Sequence, residues 1–144
     1  MTRWPDSSFV VSIYIEDQHS AKARRCFAEH AEPLTITEFS RGEIMHAIRL
    51  CAFRREISEQ QMTQALLRFE HDQGEGFFET ADLDSSLLFE KAAQLSQRYA
   101  LTHGVRYLDL LHIAVALLVK SRQFLTFDAR QGRLARAAGL DVRP

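Results

Sequence analysis

The stretch from Leu108 to Val119 constrains the fold more than any other, because it is almost entirely apolar yet contains an aspartate and a histidine. Such a run is typical of a helix that is packed on both sides. Asp109 and His112 are three residues apart, so they lie on one face of that helix. A carboxylate within an apolar helix loses its water, which is unfavourable unless another group pairs with it. Asp109 therefore needs a cation or a metal ion as its partner.

A short strand is predicted to follow this helix. Residues 124–127 read Phe-Leu-Thr-Phe, and the run stops at Asp128. In an open parallel sheet, ligands bind at the carboxyl ends of the strands. Asp109 and Asp128 are thus expected to face one site.

The rest of the chain alternates short strands with helices. Leu34–Thr37 alternates apolar and hydroxyl residues, as β-strands do, and Phe77–Leu83 can form another strand. Ser58 with Gln61 is the signature of a capping box at a helix start. This order predicts a three-layer α/β/α sandwich with a short-stranded, mostly parallel sheet, in one domain spanning residues 1–144. The predicted helices cover about residues 9–15, 20–30, 38–55, 58–71, 84–101, 108–119 and 130–138, with an edge strand at 140–142.

Composition excludes several classes of protein. The net charge of −1 gives no general attraction to nucleic acid, although residues 56–90 hold nine acids and one base while residues 120–144 hold six bases and two acids. The longest apolar run, Ile113–Val119, has seven residues against the roughly 20 that cross a bilayer. We expect a soluble protein without a signal peptide, with Cys26 and Cys51 as free thiols in a reducing cytoplasm. The chain has no Gly-rich phosphate loop, zinc-type Cys/His spacing or GxSxG elbow.

Two further acids are candidates for the site, and each also has a structural interpretation. Asp6 precedes an apolar stretch, and local sequence favours a helix N-cap for it. Glu43 lies near the apolar arc of its helix, where either an arginine such as Arg41 or Arg49 or a metal ion would balance it.

Taken together, the four acids fit one shared site better than four separate structural roles. Converging carboxylates repel one another and raise each other's pKa values, and divalent cations remove that conflict. Oxygen ligands of this kind suit Mg²⁺ or Mn²⁺, which can activate water and neutralise charge on a phosphate. The candidate metal ligands are Asp6, Glu43, Asp109 and Asp128.

The chain resembles PIN-domain proteins, and specifically the VapC-type toxin ribonucleases. The resemblance is carried by RYLDLLHIAVAL at 106–117, by FLTFDARQ at 124–131, by Asp6-Ser7-Ser8, and by the EIMHA segment at 43–47. His46 stands where Asn is common in the family, which leaves the acid in place. The resemblance implies a metal-dependent endoribonuclease that is usually dimeric and neutralised by a partner antitoxin.

Other polar residues near the acids have supporting roles in this interpretation. Ser7, Ser8 and Thr126 are candidates for orienting the carboxylates. Arg130 is a candidate for contacting RNA phosphate, with a plain surface arginine as the alternative. For His112 we favour a buried, hydrogen-bonded core histidine over a catalytic base, since a metal-bound water does not require one.

Three functional hypotheses follow. The first is a toxin-type ribonuclease, the second a metal-dependent nuclease acting on DNA or in RNA processing outside a toxin pair, and the third a non-catalytic binding module on the same fold. The acidic stretch Glu56–Glu90 is a further candidate, as a surface for a basic segment of an antitoxin or for a second subunit.

Overall fold

A five-stranded, all-parallel sheet forms the centre of the molecule. The structure is a computed structural model and describes residues 2–144. The strand order is β3-β2-β1-β4-β5, so β1 is central. The strands are β1 (Arg3–Pro5), β2 (Leu34–Ile36), β3 (Phe78–Thr80), β4 (Gln123–Leu125) and β5 (Asp141–Arg143).

Helices connect the strands in every case, as parallel pairing requires. They are α1 (Ser7–Tyr14), α2 (Ser20–Ala28), α3 (Glu38–Phe53), α4 (Glu59–Gly74), α5 (Ser85–His103), α6 (Tyr107–Leu118) and α7 (Ala129–Ala137). The predicted α/β fold is confirmed, and the sheet is wholly rather than mostly parallel.

Two hydrophobic cores lie on opposite faces of the sheet, which gives the three predicted layers. One core joins α1 to α4 with strand residues such as Ile36 and Leu125. The other joins α5, α6 and α7 with Trp4 and Phe124. Neighbouring strand residues thus point to opposite cores, as the two-residue repeat of a strand dictates.

Capping side chains set the starts of several helices where the sequence predicts them. Ser58 and Gln61 form the reciprocal capping box of α4. Asp84 accepts hydrogen bonds from the backbone N–H groups of Ser86 and Leu87 at the start of α5. These bonds satisfy amides that otherwise have no partner in the first turn.

Three strands are shorter than their sequence patterns indicate. The strand predicted over Leu34–Thr37 ends at Ile36, because Thr37 is the N-cap of α3. The strand predicted through Phe127 ends at Leu125, because the Thr126 hydroxyl accepts a bond from the Asp128 amide and turns the chain towards α7. The strand predicted over 77–83 covers only Phe78–Thr80 before the chain turns to the Asp84 cap.

The central strand contains a proline at its carboxyl end. The Asp6 N–H donates to the Leu125 carbonyl of β4 at 2.9 Å, so position 5 faces β2 on the other side. Pro5 has no N–H to donate there. The β1–β2 register is confined to Arg3 with Leu34 among the described strands, whereas β1 and β4 match over three residue pairs.

Candidate active site at the carboxyl end of the sheet

Asp6 lies immediately after β1 and is almost completely buried, with 4% of its surface exposed. One carboxylate oxygen accepts hydrogen bonds from the Phe9 N–H at 2.7 Å and from the Ser8 hydroxyl at 2.9 Å. The other oxygen accepts a bond from the Thr126 hydroxyl, beyond β4. Asp6 is therefore the N-cap of α1, as local sequence favours, and also a link between two neighbouring strand ends.

Burial raises the pKa of Asp6 above its ordinary value, although the hydrogen bonds from Thr126 and the Phe9 N–H oppose that shift. The carboxylate is thus held by neutral donors in a position where its charge is poorly solvated. A cation bound beside it would favour the ionised form.

Glu43 reaches the same end of the sheet from α3. One of its oxygens accepts hydrogen bonds from the Ser7 hydroxyl and lies 2.7 Å from Nε2 of His112. Partial burial opposes ionisation of Glu43, but the bonds from His112 and Ser7 outweigh it and lower the pKa. Of the arginines that the sequence offered as partners, Arg41 donates from Nε to Gln73, whereas the positive charge of another arginine, Arg106, helps to lower the pKa of Glu43.

His112 connects α6 to the central strand and to Glu43. The Trp4 indole N–H donates to Nδ1 of His112 at 3.3 Å. Because an indole nitrogen can only donate, Nδ1 is the acceptor and the proton of the neutral ring sits on Nε2, which donates to Glu43. The structure places His112 as a buried, hydrogen-bonded residue that orients Glu43.

Asp109 occupies the first turn of α6, one turn before His112. Its Oδ2 accepts a bond from the Arg106 backbone N–H at 3.3 Å and lies 3.5 Å from the Arg106 guanidinium. The Arg106 side chain is 85% exposed, so this ion pair is a weak surface contact. Arg106 is thus one cation beside Asp109, and a metal ion at this position stays a prediction.

Asp128 caps α7 and is exposed. Its Oδ1 accepts bonds from the backbone N–H groups of Arg130 at 2.8 Å and Gln131 at 3.1 Å. The Arg130 side chain lies on the surface at the first turn of α7. Whether it contacts RNA stays a prediction.

The Thr126 hydroxyl joins several of these groups. It donates to Asp6, accepts from the Asp128 N–H at 3.0 Å and lies 3.4 Å from the side-chain oxygen of Gln131. The amide of Gln131 in turn donates to the Asp109 carbonyl at 3.4 Å. Sequence reasoning identified Thr126 but missed Gln131, whose only signal was its position in the turn after a candidate acid.

The four acids lie around one end of the sheet but are not arranged as a preformed metal-binding site. Within residues 2–144, no three His, Cys, Asp or Glu side chains are grouped closely enough to hold an ion. Asp109 and Asp128 each use one carboxylate oxygen at a helix start, and the other oxygen makes no hydrogen bond to the described residues. The donors fit Mg²⁺ or Mn²⁺ in type, since all are hard oxygen atoms.

None of the helices in residues 2–144 has both the length and the apolar character that a membrane crossing demands.

Comparison with known proteins agrees with this architecture. The family model for the PIN domain matches residues 4–137. The crystal structure of VapC20 from Mycobacterium tuberculosis, described as a sarcin-ricin loop cleaving toxin, is similar with a TM-score of 0.69 and 19% sequence identity over 100% of both chains. At that identity the likeness establishes the fold. No sequence among curated proteins matches the chain significantly.

Proposed function

The chain belongs to the PIN-domain family, and on that basis we propose that it is a metal-dependent endoribonuclease, the toxin of a toxin–antitoxin pair. The observation that carries the proposal is a pair of side-chain contacts at the carboxyl ends of β1 and β4, Thr126 with Asp6 and His112 with Glu43, while Ser7, next to Asp6 in the chain, donates to Glu43. This is the edge where parallel sheets bind ligands. The likeness of fold to a toxin described as cleaving the sarcin-ricin loop supports RNA as the substrate.

We propose Asp6, Glu43, Asp109 and Asp128 as the residues that hold Mg²⁺ or Mn²⁺, directly or through water. When bound, such an ion supplies an activated water and neutralises charge on the scissile phosphate. Asp109 and Asp128 each have one carboxylate oxygen that makes no hydrogen bond to the described residues. Each can therefore offer that oxygen to the ion while the other oxygen keeps its contacts at the helix start.

The surrounding side chains hold the acids in place. Thr126 and Ser8 fix the two oxygens of Asp6, while Ser7 and His112 fix one oxygen of Glu43. Hydrogen bonds of this kind around metal ligands set ligand orientation and basicity. His112 acts here as a positioning residue, not as the base.

We propose that residues 1–144 act as one nuclease domain in the cytoplasm, where RNA is available and thiols stay reduced. The two cysteines are free, which agrees with that setting.

A homodimer and an antitoxin are the proposed protein partners. Large apolar side chains are exposed on α5 and at the start of α6, which supports a protein interface there. These residues are Leu87, Phe89, Leu101, Tyr107 and Leu108.

The acidic stretch Glu56–Glu90 is the proposed surface for a basic segment of the antitoxin or the second subunit. Most of its acids are exposed, Glu70 among them. Asp72 is unsuitable as a test position, because its carboxylate accepts a bond from the buried Tyr14 hydroxyl at 2.6 Å. Glu70→Lys together with Glu75→Lys should weaken the complex; unchanged affinity would leave the stretch a solvated surface.

The test is cleavage of a mixture of tRNA and messenger RNA with Mg²⁺ or Mn²⁺. Wild type, Asp109→Asn and a chelator control are compared, and Asp82→Asn, which changes an exposed loop acid, serves as the matched control. We expect cleavage to require both the ion and Asp109, and Mn²⁺ binding measured by calorimetry to fall in the same variant. Full activity of Asp109→Asn would contradict the proposal.

The alternative functions give different results in the same assay. Preference for DNA over single-stranded and folded RNA would favour a DNA nuclease. Absence of cleavage and of Mn²⁺ binding in well-folded protein would favour a binding module on the PIN fold.

A further inference from the structure

A groove of about 570 Å³ opens beside the candidate site. It lies between the loop that joins α1 to α2, the second half of α3 and the turn from β4 to α7. Ser8, Arg106 and Asp128 line it, and these residues contact or belong to the candidate acids. The groove is therefore continuous with the proposed catalytic centre.

A stack of three aromatic rings runs from the core to this groove, and the outer two rings, Phe127 and His19, line its wall. The Phe9 and Phe127 rings are 5.5 Å apart and 16° from parallel, and the Phe127 and His19 rings are 4.2 Å apart and 8° from parallel. Phe9 is buried in the core, whereas His19 is partly exposed. The stack thus leads from the core to a flat ring at the groove.

The loop that carries His19 is held by a dense set of hydrogen bonds. Asp17 accepts bonds from the His19 N–H at 2.7 Å and from the Ser12 hydroxyl at 2.8 Å. The Ser20 hydroxyl accepts from the Asp17 N–H and donates to the Ile15 carbonyl. The ring is consequently presented in a fixed position, which lowers the entropy lost when a partner stacks on it.

Two arginines supply positive charge to the groove. Arg54 is exposed and makes no ion pair within the described chain, and the largely exposed Arg106 makes a weak contact with Asp109 and an electrostatic interaction with Glu43. The opposing acids are Asp17, whose oxygens accept bonds within the loop, and Asp128, which is itself a candidate metal ligand. Flat rings next to guanidinium groups are the combination that single-stranded nucleic acid recognises.

We propose that this groove binds a single-stranded segment of the substrate RNA next to the cleaved bond, with one base stacked on His19 and backbone phosphates at Arg54 and Arg106. The inference rests on the proposed ribonuclease function and adds to it the requirement for an unpaired base beside the scissile phosphate. Val11, Leu50 and Phe127 also give the groove apolar walls, but its two arginines and the presented His19 ring favour the phosphates and bases of RNA over an antitoxin segment.

The test is the affinity for a fluorescent single-stranded RNA in a buffer with chelator, where cleavage cannot occur. His19→Ala should bind roughly tenfold more weakly, within the range that stacking of one base provides. His19→Phe should retain the affinity, because it keeps a flat ring. His30→Ala, which removes an exposed histidine after α2, is the matched control and should bind like wild type.

An abasic site moved along the RNA identifies the stacked base. At one position the missing base should weaken binding to wild type, and the same change should have no further effect on His19→Ala. For the arginine, Arg54→Ala should reduce the slope of log affinity against log salt by roughly 0.7, whereas Arg49→Ala should not.

Wild-type affinity of His19→Ala for RNA would overturn the inference while leaving the ribonuclease proposal intact. Loss of binding to a protein partner, with RNA affinity unchanged, in His19→Ala or Arg54→Ala would also overturn the inference, since the groove would then be the binding site for that partner. Cleavage of DNA in preference to RNA by wild type would overturn the proposed function itself. The binding and cleavage assays thus separate the two failures.

Discussion

The central strand has a buried charged residue at each end, Arg3 at its start and Asp6 directly after it. They are 3% and 4% exposed. Burial lowers the pKa of Arg3 and raises that of Asp6, so it disfavours the charged form of both. The two ends differ in what compensates the charge.

The Arg3 side chain is bonded to backbone carbonyls, whereas Asp6 is bonded to two side-chain hydroxyls and one backbone N–H. The Arg3 guanidinium donates to the Cys26 carbonyl at 3.1 Å and the Glu32 carbonyl at 2.8 Å. Asp6 accepts from the hydroxyls of Ser8 and Thr126 as well as from the Phe9 N–H. The two carbonyls belong to the last turn of α2 and to the segment after it, away from the candidate acids, whereas hydroxyls beside further acids can rearrange around a ligand. We therefore expect the amino end to contribute stability and the carboxyl end to contribute the proposed chemistry.

Replacing Asp6 should produce the largest effect of the variants considered. The change should lower the cleavage rate and leave the stability of the fold nearly unchanged. Asp6→Asn should lower the cleavage rate by at least about a hundredfold, since it removes a proposed ligand. The free energy of unfolding should change by less than about 1 kcal/mol, because Asn is as good an N-cap as Asp. Cleavage rates and urea unfolding measure the two quantities. A large loss of stability with activity retained per folded molecule would show that Asp6 has a structural role like that of Arg3.

Replacing Arg3 should have the converse effect. Arg3→Met removes the donors of two carbonyls, so the free energy of unfolding should fall by about 2–3 kcal/mol in urea titration. Cleavage per folded molecule should stay at the wild-type value. Arg143→Met, an exposed arginine on β5, is the control and should change stability by less than about 0.5 kcal/mol. Equal changes in the free energy of unfolding of the two arginine variants would contradict the structural role of Arg3.

Replacing His112 tests whether the side chains around the acids at the carboxyl end affect cleavage. His112→Leu should lower cleavage about tenfold, because Glu43 loses the donor that orients it. His112→Gln carries an amide N–H and should recover part of that loss. Equal activity of both variants would show that the bond to Glu43 has no positioning role.

Replacing Tyr14 should have the smallest effect of the variants considered. Its hydroxyl makes a buried polar contact away from the four candidate metal ligands. Burial and the Asp72 carboxylate raise the pKa of Tyr14 above its ordinary range. The folded state therefore keeps the phenol proton when the unfolded chain loses it. Stability supplied by this group is complete below about pH 10 and declines above it, by up to about 1.4 kcal/mol per pH unit.

In the variant Tyr14→Phe, the free energy of unfolding should be lower by about 1 kcal/mol at neutral pH, and it should decline less steeply above about pH 10. Urea unfolding at several alkaline pH values measures the difference, and cleavage at neutral pH should be unchanged. An identical decline in both proteins would assign it to other groups.

The order of the elements could be read from the sequence because the signals are local. Helix periodicity, the Ser58 capping box and the Asp84 cap each depend on residues within one turn. The strand ends were less predictable, since Thr126 leaves the strand through a side-chain bond that no periodicity reveals.

The candidate site was predictable only where its residues follow strands. That Asp6 and Thr126 come together follows from the adjacency of two parallel strand ends. The bond between Glu43 and His112 joins α3 to α6 across 69 positions of sequence, and no local pattern distinguishes it from an arginine pair. The grouping of all four acids around an ion stays a prediction.

Pro5 has a consequence for how the molecule opens. Because it offers no N–H to β2, the boundary between β1 and β2 has few main-chain bonds at the end where Ser7 meets Glu43. Segments with few such bonds open at lower free energy than the whole fold. We expect amide hydrogen exchange to begin at this boundary while β1 and β4 stay paired, so that local opening lets the partly exposed Glu43 change position without unfolding of the sheet.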